Sequence, residues 1–134
     1  MVGTEVRLPI ATDTDVVTAR QQGRAVAERV GLPSISLTLI ATAISEVARN
    51  IINYAGRGEI LIDALHENGR RGVVVIARDE GPGIPDVALA MQDGYTTGTG
   101  LGLGLPGARR LMDEFELVSE VGKGTTVTMK KWAR

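Results

Sequence analysis

The feature that most limits how this chain can fold is a glycine-rich stretch from Asp79 to Gly107, which separates two otherwise ordered parts. Eight of the 17 glycines lie within it, at positions 81, 83, 94, 98, 100, 102, 104 and 107. Glycine weakens helices and strands, but it adopts left-handed dihedrals and lets a ligand approach the backbone. Backbone N–H groups ahead of a helix also suit an anion such as phosphate. The stretch therefore predicts either a loop that wraps a ligand or a flexible connector.

Asp79 favours the ligand-binding interpretation of this stretch. It follows an apolar run from Val73 to Ala77 and precedes Gly81-Pro82-Gly83. We therefore expect its carboxylate at the end of a buried strand, above glycines that have no side chains. An ionised carboxylate only accepts hydrogen bonds, so at this position it suits the exocyclic amine of a purine.

Composition excludes several other classes of function. With 134 residues, 43% of them hydrophobic and 23% charged, the sequence indicates one globular domain over residues 1–134. A net charge of -1 and 3% aromatic residues supply neither the charge nor the stacking surfaces typical of nucleic-acid or membrane binding. There is no cysteine and His66 is the only histidine, which excludes thiol chemistry and disfavours a zinc site. The sequence has no signal-peptide pattern and no apolar run of membrane-spanning length, so we expect a cytoplasmic protein.

Hydrophobic periodicity and capping residues predict the order of helices and strands. The first predicted elements are a strand from Glu5 to Ile10, a helix from Thr12 or Asp13 to about Val30, and a helix that is capped by Ser34 or Ser36 and reaches about Ala55. Two strands follow, from Glu59 to His66 and from Gly72 to Ala77. The last predicted elements are a short helix from Asp86 to Gln92, a helix through Arg109 to Met112, and a hairpin of Phe115 to Ser119 with Thr125 to Met129. This order predicts an α/β (α+β) two-layer sandwich, with a mixed, mostly antiparallel sheet and helices on one face.

The second predicted helix has a polar face that carries candidate catalytic residues. Its apolar stripe consists of Leu37, Ile40, Ala41, Ile44, Ala48, Ile51 and Ala55. Glu46, Asn50 and Asn53 fall within about 60° of one another on the opposite side. An amide oxygen such as that of Asn50 is a good Mg²⁺ ligand beside phosphates, and a nearby carboxylate could deprotonate an attacking hydroxyl. The same pair would also be ordinary on a solvated helix face.

Familiar glycine motifs do not account for the stretch. Gly102 to Gly107 matches G-x-G-x-x-G, but that dinucleotide fingerprint must follow a strand, and Tyr95 to Gly98 is polar. No Lys-Ser/Thr pair follows the glycines as in a P-loop, and the H-R-D and D-F-G motifs of eukaryotic-type kinases are missing. Gly122 to Thr125 indicates a hairpin turn, in which Thr125 gains a further role only if the sheet places it beside Asp79.

Four segments in the same order resemble the nucleotide-binding fold of the GHKL superfamily, which includes gyrase, the Hsp90 chaperone, histidine kinases and the MutL repair protein. The matching segments are Glu46 to Asn50, Asp79 to Gly83, Gly98 to Gly104, and Gly124-Thr125. Within the superfamily, the chain resembles the switch-protein serine kinases of bacterial stress (stressosome) signalling. That further likeness lies in Thr42 to Asn50, Gly104 to Gly107, Arg110 to Phe115, and Lys131 to Arg134.

The resemblance implies a role for each matching residue in a Mg²⁺-ATP site. Glu46 would be the general base, Asn50 would hold Mg²⁺ on the phosphates, and Asp79 would accept from the adenine amine. Gly81 would belong to the cofactor site, with Gly83 and Thr125 shaping the base pocket. The glycines that would cover the phosphates as a lid are Gly98, Gly100, Gly102 and Gly104.

The resemblance also implies a substrate and partners. The substrate would be a serine on a STAS-domain antagonist protein, and its phosphorylation would release the kinase to activate a protein phosphatase. Nothing in the sequence resembles the phosphoacceptor-histidine domain of sensor kinases, so transfer would go directly to the partner's hydroxyl. Two alternatives stay open, an anti-sigma factor kinase that binds and inhibits a sigma factor and a non-catalytic nucleotide-dependent binding module.

Overall fold

A five-stranded sheet with helices on one face forms the described part of the protein. The structure is a computed structural model and describes residues 5–84, 91 and 104–133. Its elements are β1 (Val6–Ile10), α1 (Asp13–Val30), α2 (Ser34–Ala55), β2 (Gly58–Glu67), β3 (Arg70–Asp79), α3 (Gly104–Leu111), β4 (Glu114–Glu120) and β5 (Gly124–Trp132). The strand order is β1-β2-β3-β5-β4, and every pairing among the described strands is antiparallel. The predicted two-layer α+β fold is confirmed, while the short helix predicted from Asp86 to Gln92 lies outside the described residues apart from Met91.

Helix α1 begins and ends where the sequence predicts, because both ends have strong caps. At its start, the Thr12 hydroxyl accepts the Asp15 N–H at 3.3 Å, and the Asp15 carboxylate accepts the Thr12 N–H at 3.0 Å. This reciprocal capping box satisfies donors that have no partner within the helix. At its end, Gly31 has a φ of 99°, and its N–H donates to the carbonyls of Ala27 and Glu28.

We expect Asp15→Asn to lower the stability of α1 at neutral pH but not in acid. The N–H groups of Ala11 and Thr12 donate to the Asp15 carboxylate and lower its pKa below 3.8. A carboxyl group whose pKa is lowered by folding stabilises the native state above its unfolded pKa, and this stabilisation is lost as the pH falls through the folded pKa. Thermal melts of both proteins should therefore differ at pH 7 and converge at acidic pH. A constant difference at every pH would contradict the role of the ionised carboxylate.

Helix α2 has the predicted length but a different start. Neither Ser34 nor Ser36 caps it, because Ser34 is already its first residue and Pro33 occupies the N-cap position without a side-chain bond. The Pro33 carbonyl accepts the N–H groups of Ser36 and Leu37. The expectation that no apolar run reaches membrane-spanning length does not hold for α2, which is long and apolar enough to cross a membrane. However, 56% of its most apolar segment is buried within the described domain. We therefore interpret α2 as the central core helix.

The core lies between α1, α2 and the sheet, and it buries matched rows of strand side chains. The two rows are Ile60, Ala77 and Val127, followed by Ile62, Val75 and Met129. Every one of these residues is at most 3% exposed. Burial of one such large aliphatic side chain is worth about 1.5–3 kcal/mol. The same register determines which residues of the strand ends face the helices.

Several element boundaries differ from those predicted, most clearly at the β2–β3 hairpin and at the start of α3. Strands β2 and β3 are longer than predicted, and their turn shortens to Asn68 and Gly69, which both have positive φ as tight hairpins require. Helix α3 begins at Gly104, although its first four residues were predicted as loop. Leu105 to Ala108 are buried, and Pro106 falls in the first turn, where its missing N–H has little cost. Burial therefore outweighs the low helix propensity of this segment.

The single tryptophan, Trp132, anchors the end of β5. It is 4% exposed, its indole N–H donates to the Glu114 carboxylate at 2.6 Å, and the Arg70 guanidinium lies 4.1 Å from its ring centroid. Its backbone N–H donates to Asp113 at 2.8 Å. These contacts join the ends of β3, β4 and β5 that lie opposite the ends at Asp79, Glu120 and Gly124.

Candidate active site

The helix-facing side of the sheet carries a row of four residues at the strand ends. Gly58 lies opposite Asp79, Asp79 opposite Thr125, and Thr125 opposite Ser119. Because side chains alternate along a strand, this row shares its face with the buried rows two residues further along. The sheet thus places Thr125 beside Asp79, which is the arrangement that gives Thr125 a role beyond the hairpin turn.

Asp79 is held in a fixed direction by the segment that follows it. Its Oδ1 atom accepts the Gly81 N–H at 2.9 Å, and the side chain is half-buried. Its other oxygen has no partner within the described part of the chain. Gly81 itself lies against Ala55 at the end of α2, where a Cβ on residue 81 would come within 2.6 Å of the Ala55 Cβ. Asp79 therefore presents one unpaired acceptor beside the end of α2.

The backbone near Asp79 leaves no room for side chains. Gly83 has a φ of 81°, and a Cβ there would collide with the carbonyl oxygen of Glu120. Gly124 has a φ of 122°, and a Cβ there would collide with the Asp79 carbonyl oxygen. Such close approaches explain why glycine occupies both positions.

Ser119 is a member of the row that sequence reasoning missed. Its Oγ accepts the Ile84 N–H at 2.7 Å and donates to the Gly124 carbonyl oxygen at 3.2 Å. It also lies 2.8 Å from the Thr125 hydroxyl. Thr125 is only 5% exposed. The sequence does contain a signal for this pairing. Ser119 lies three residues before Gly122, the centre of the predicted hairpin, and Thr125 lies three residues after it, so a regular hairpin pairs the two.

Glu46 connects α2 to the start of α3. Its Oε1 accepts the Gly104 N–H at 3.0 Å, and its Oε2 lies 3.5 Å from the Arg49 guanidinium. The Glu46 side chain is 15% exposed. A carboxylate at a helix N-terminus satisfies an unpaired N–H and interacts favourably with the helix dipole. The sequence predicts Glu46 either as a general base or as part of a solvated helix face, so its contact with Gly104 is a finding of the structure.

The described ends of the glycine-rich stretch both contact α2. Gly104 contacts it at Glu46 and Gly81 contacts it at Ala55, about 13 Å apart along the helix axis. Asn50 lies between these contacts, half-buried, and its amide has no partner among the described residues. The predicted phosphate-covering residues Gly98, Gly100 and Gly102 lie outside the described residues.

The available side-chain groups fit an adenine nucleotide with Mg²⁺. The Asp79 oxygen that has no partner among the described residues lies next to the buried Thr125 in the sheet, an arrangement that suits the edge of a purine. Asn50 offers an amide oxygen that has no partner within residues 5–84, 91 and 104–133. No group of three or more His, Asp or Glu residues within the described ranges is arranged to hold a metal ion, so a bound Mg²⁺ would take its other ligands from phosphates and water.

Comparison with known proteins places this geometry in a family. The model of the histidine kinase-like ATPase domain matches residues 10–131. The chain therefore belongs to the histidine kinase-like ATPase domain family, which confirms the resemblance to the GHKL superfamily.

Individual relatives agree with this assignment. The chain is 51% identical over 125 residues to the serine/threonine-protein kinase RsbT of Bacillus subtilis, covering 93% of this chain and 94% of the relative. It is 41% identical over 102 residues to the anti-sigma F factor of Geobacillus stearothermophilus, and this match covers 71% of this chain and 68% of the relative. A solved structure of the RsbU and RsbW domains of a Mycobacterium tuberculosis protein superposes with a TM-score of 0.59 at 24% identity. That match covers all of this chain and 34% of the solved one, and it shows the shared fold.

Proposed function

We propose that this protein is a Mg²⁺- and ATP-dependent protein-serine kinase. Its substrate would be a serine of a STAS-domain antagonist protein, and phosphorylation would switch the kinase to a second partner, a protein phosphatase, in bacterial stress signalling in the cytoplasm. The 51% identity to a serine/threonine-protein kinase, over 93% of this chain, carries this proposal. Because the match covers nearly the whole chain, it includes the segments that flank the nucleotide-binding motifs as well as the motifs themselves.

The row at the strand ends supports recognition of the nucleotide base. The unpaired oxygen of Asp79 would accept a hydrogen bond from the adenine amine, while Gly81 fixes the other oxygen at 2.9 Å. Gly83 and Thr125 would shape the pocket around the base.

The polar face of α2 supports phosphoryl transfer. ATP supplies the γ-phosphoryl group when it is bound. The amide oxygen of Asn50 would help to hold Mg²⁺, and Glu46 would accept the proton of the attacking serine hydroxyl. Catalysis by such a site depends mainly on positioning and charge neutralisation.

A second candidate function is that of an anti-sigma factor kinase. The 41% identity to an anti-sigma F factor favours it, and the proposed nucleotide site would be the same. A pull-down with the immobilised chain distinguishes the two, because the first proposal predicts retention of the STAS-domain protein and the second also predicts retention of a sigma factor.

Transfer to a purified partner tests the proposal directly. The chain is incubated with γ-labelled ATP, Mg²⁺ and a purified STAS-domain antagonist protein, and the phosphorylated residue is identified by mass spectrometry. Label on a serine of the partner is expected. Tight ATP binding without any transfer would instead indicate a non-catalytic nucleotide-dependent binding module.

We expect Asn50→Ala to remove the Mg²⁺ dependence of ATP binding, because the substitution deletes the proposed protein ligand. The measurement is the ATP dissociation constant in Mg²⁺ and in EDTA, for the parent and the variant. Asn53→Ala is the matched control, since residue 53 is an exposed asparagine on the same helix. Retention of the full Mg²⁺ effect in Asn50→Ala would contradict the metal role.

A further inference from the structure

Both carboxylate oxygens of Glu46, the proposed general base, have partners within the protein. Its Oε1 accepts the Gly104 N–H at 3.0 Å, and its Oε2 lies 3.5 Å from the Arg49 guanidinium. The Glu46 side chain is 15% exposed, so little of it is accessible from outside. A general base must come within hydrogen-bonding distance of the hydroxyl whose proton it accepts. In this structure the carboxylate is instead directed at donors of its own chain.

Helix α3 is held in place by contacts that do not involve Glu46. At its end, the Lys131 ammonium group donates to the Leu111 carbonyl at 2.9 Å, and the Lys131 side chain is only 13% exposed. At its start, Leu105 to Ala108 are buried. The fold therefore fixes the Gly104 N–H, whereas Glu46 is a long side chain that can rotate away from it. An exchange of partners at Gly104 needs only a change of the Glu46 rotamer.

Gly104 is also one of the glycines proposed to cover the phosphates of the nucleotide. A backbone N–H has a single proton to donate, so a bond from Gly104 to a phosphate oxygen competes with its bond to Glu46. Two anions beside one donor also repel each other. Asn50, the proposed Mg²⁺ ligand, lies about 6 Å from Glu46 along α2. The Glu46–Gly104 contact thus lies within the proposed site and is incompatible with its occupied state.

We propose that the Glu46–Gly104 hydrogen bond is an autoinhibitory contact that breaks when Gly104 donates to a phosphate of a bound nucleotide. Glu46 is then released and turns toward the solvent side of α2, where Arg49 is 51% exposed. The base becomes available to the hydroxyl of a partner protein only after nucleotide has bound. This inference rests on the proposed function and adds a regulation of the same site.

Thermodynamic linkage makes the contact measurable through ATP affinity. If ATP binding has to break the contact, deletion of the Glu46 side chain removes that cost. Glu46→Ala should therefore bind ATP about 10- to 100-fold more tightly than the parent, which is the usual worth of a hydrogen bond to a charged group. Adenosine has no phosphate and should bind both proteins equally. Titration calorimetry in Mg²⁺ measures both ligands.

Two results of this titration would contradict the proposal. The first is a Glu46→Ala variant that binds ATP no more tightly than the parent. The second is an equal gain in affinity for adenosine, because the effect would then not depend on the phosphates.

Glu46→Gln separates the exchange of partners from simple charge repulsion. Glutamine is uncharged, but its amide oxygen can still accept the Gly104 N–H. Because a neutral hydrogen bond is weaker than a charge-assisted one, the ATP affinity of Glu46→Gln should lie between those of the parent and Glu46→Ala. Equal affinities of the two variants would mean that only repulsion was relieved, which refutes the exchange. Arg49→Gln leaves the Gly104 contact intact and should not tighten ATP binding.

The parent protein offers a test that needs no substitution. The amide signal of Gly104 in a nitrogen–proton correlation spectrum should keep its position when adenosine is added. It should shift when ATP and Mg²⁺ are added, because the acceptor of this N–H changes. An unmoved Gly104 signal at saturating ATP would overturn the proposal, even if Glu46→Ala did not fold.

Failure of this inference is distinguishable from failure of the proposed function. A parent that binds no ATP overturns both. A parent that binds ATP, together with a Glu46→Ala variant of unchanged affinity, overturns only the autoinhibitory contact. Neither titration nor spectrum depends on transfer to a partner, so both readings are independent of kinase activity.

Discussion

Replacement of Glu46 by glutamine is expected to slow phosphoryl transfer by about 10² to 10⁴, the usual contribution of a general base, with little change in melting temperature. The amide oxygen of glutamine can still accept the Gly104 N–H that Glu46 accepts at 3.0 Å. The amide cannot take up a proton from a serine hydroxyl. The lost ion pair with Arg49 involves a side chain that is 51% exposed, and such surface pairs contribute little to stability.

Glu46→Ala provides the comparison that separates the two roles of Glu46. Alanine removes both the proton acceptor and the contact with Gly104, so it should slow transfer and also lower the melting temperature. Arg49→Gln removes only the ion pair and serves as the control for charge. Single-turnover transfer rates and thermal melts of all three variants are the measurements. Parental transfer rates in Glu46→Gln would mean that the residue only anchors α3.

Replacement of Asp79 by asparagine is expected to weaken ATP binding about 10- to 100-fold. Oδ1 of asparagine can still accept the Gly81 N–H, so the segment after β3 should keep its position. The amide nitrogen, however, would replace the unpaired oxygen and face the donor of the adenine amine with another donor. A hydrogen bond to a charged group is worth about 1.5–3 kcal/mol, and each 1.4 kcal/mol corresponds to about tenfold in affinity.

The neighbouring carboxylate provides a matched control for this effect. Glu80→Gln makes the same change in net charge at an exposed side chain, and it should leave the affinity close to that of the parent. Titration calorimetry with ATP and Mg²⁺ measures both variants. Equal affinity of Asp79→Asn and the parent would remove Asp79 from the base pocket.

The parts of the fold that depend on local signals were predictable from sequence. Thr12 and Gly31 define the ends of α1 because capping depends on neighbouring residues. The polar and apolar faces of α2 follow from helical periodicity alone. The start of α3 at Gly104 was not predicted, because glycine and proline indicate loop and only burial of this segment stabilises the helix.

The candidate site was predictable where it depends on residue type and not where it depends on sheet register. Asp79, Glu46 and Asn50 stand out in the sequence by their chemistry and neighbours. The contact between Glu46 and Gly104 joins residues 58 positions apart, and no local pattern reports such a distance. Ser119 was missed because its residue type does not single it out, and only the symmetry of the hairpin about Gly122 pairs it with Thr125.

The anchoring of Trp132 has a practical consequence for spectroscopy. From Thr125 to Trp132 the chain is extended over about 24 Å, so the only indole fluorophore lies far from the candidate base pocket. Its emission should report the unfolding of β5 and be insensitive to occupancy by nucleotide. Fluorescence and calorimetry therefore give independent readings of folding and binding on the same sample.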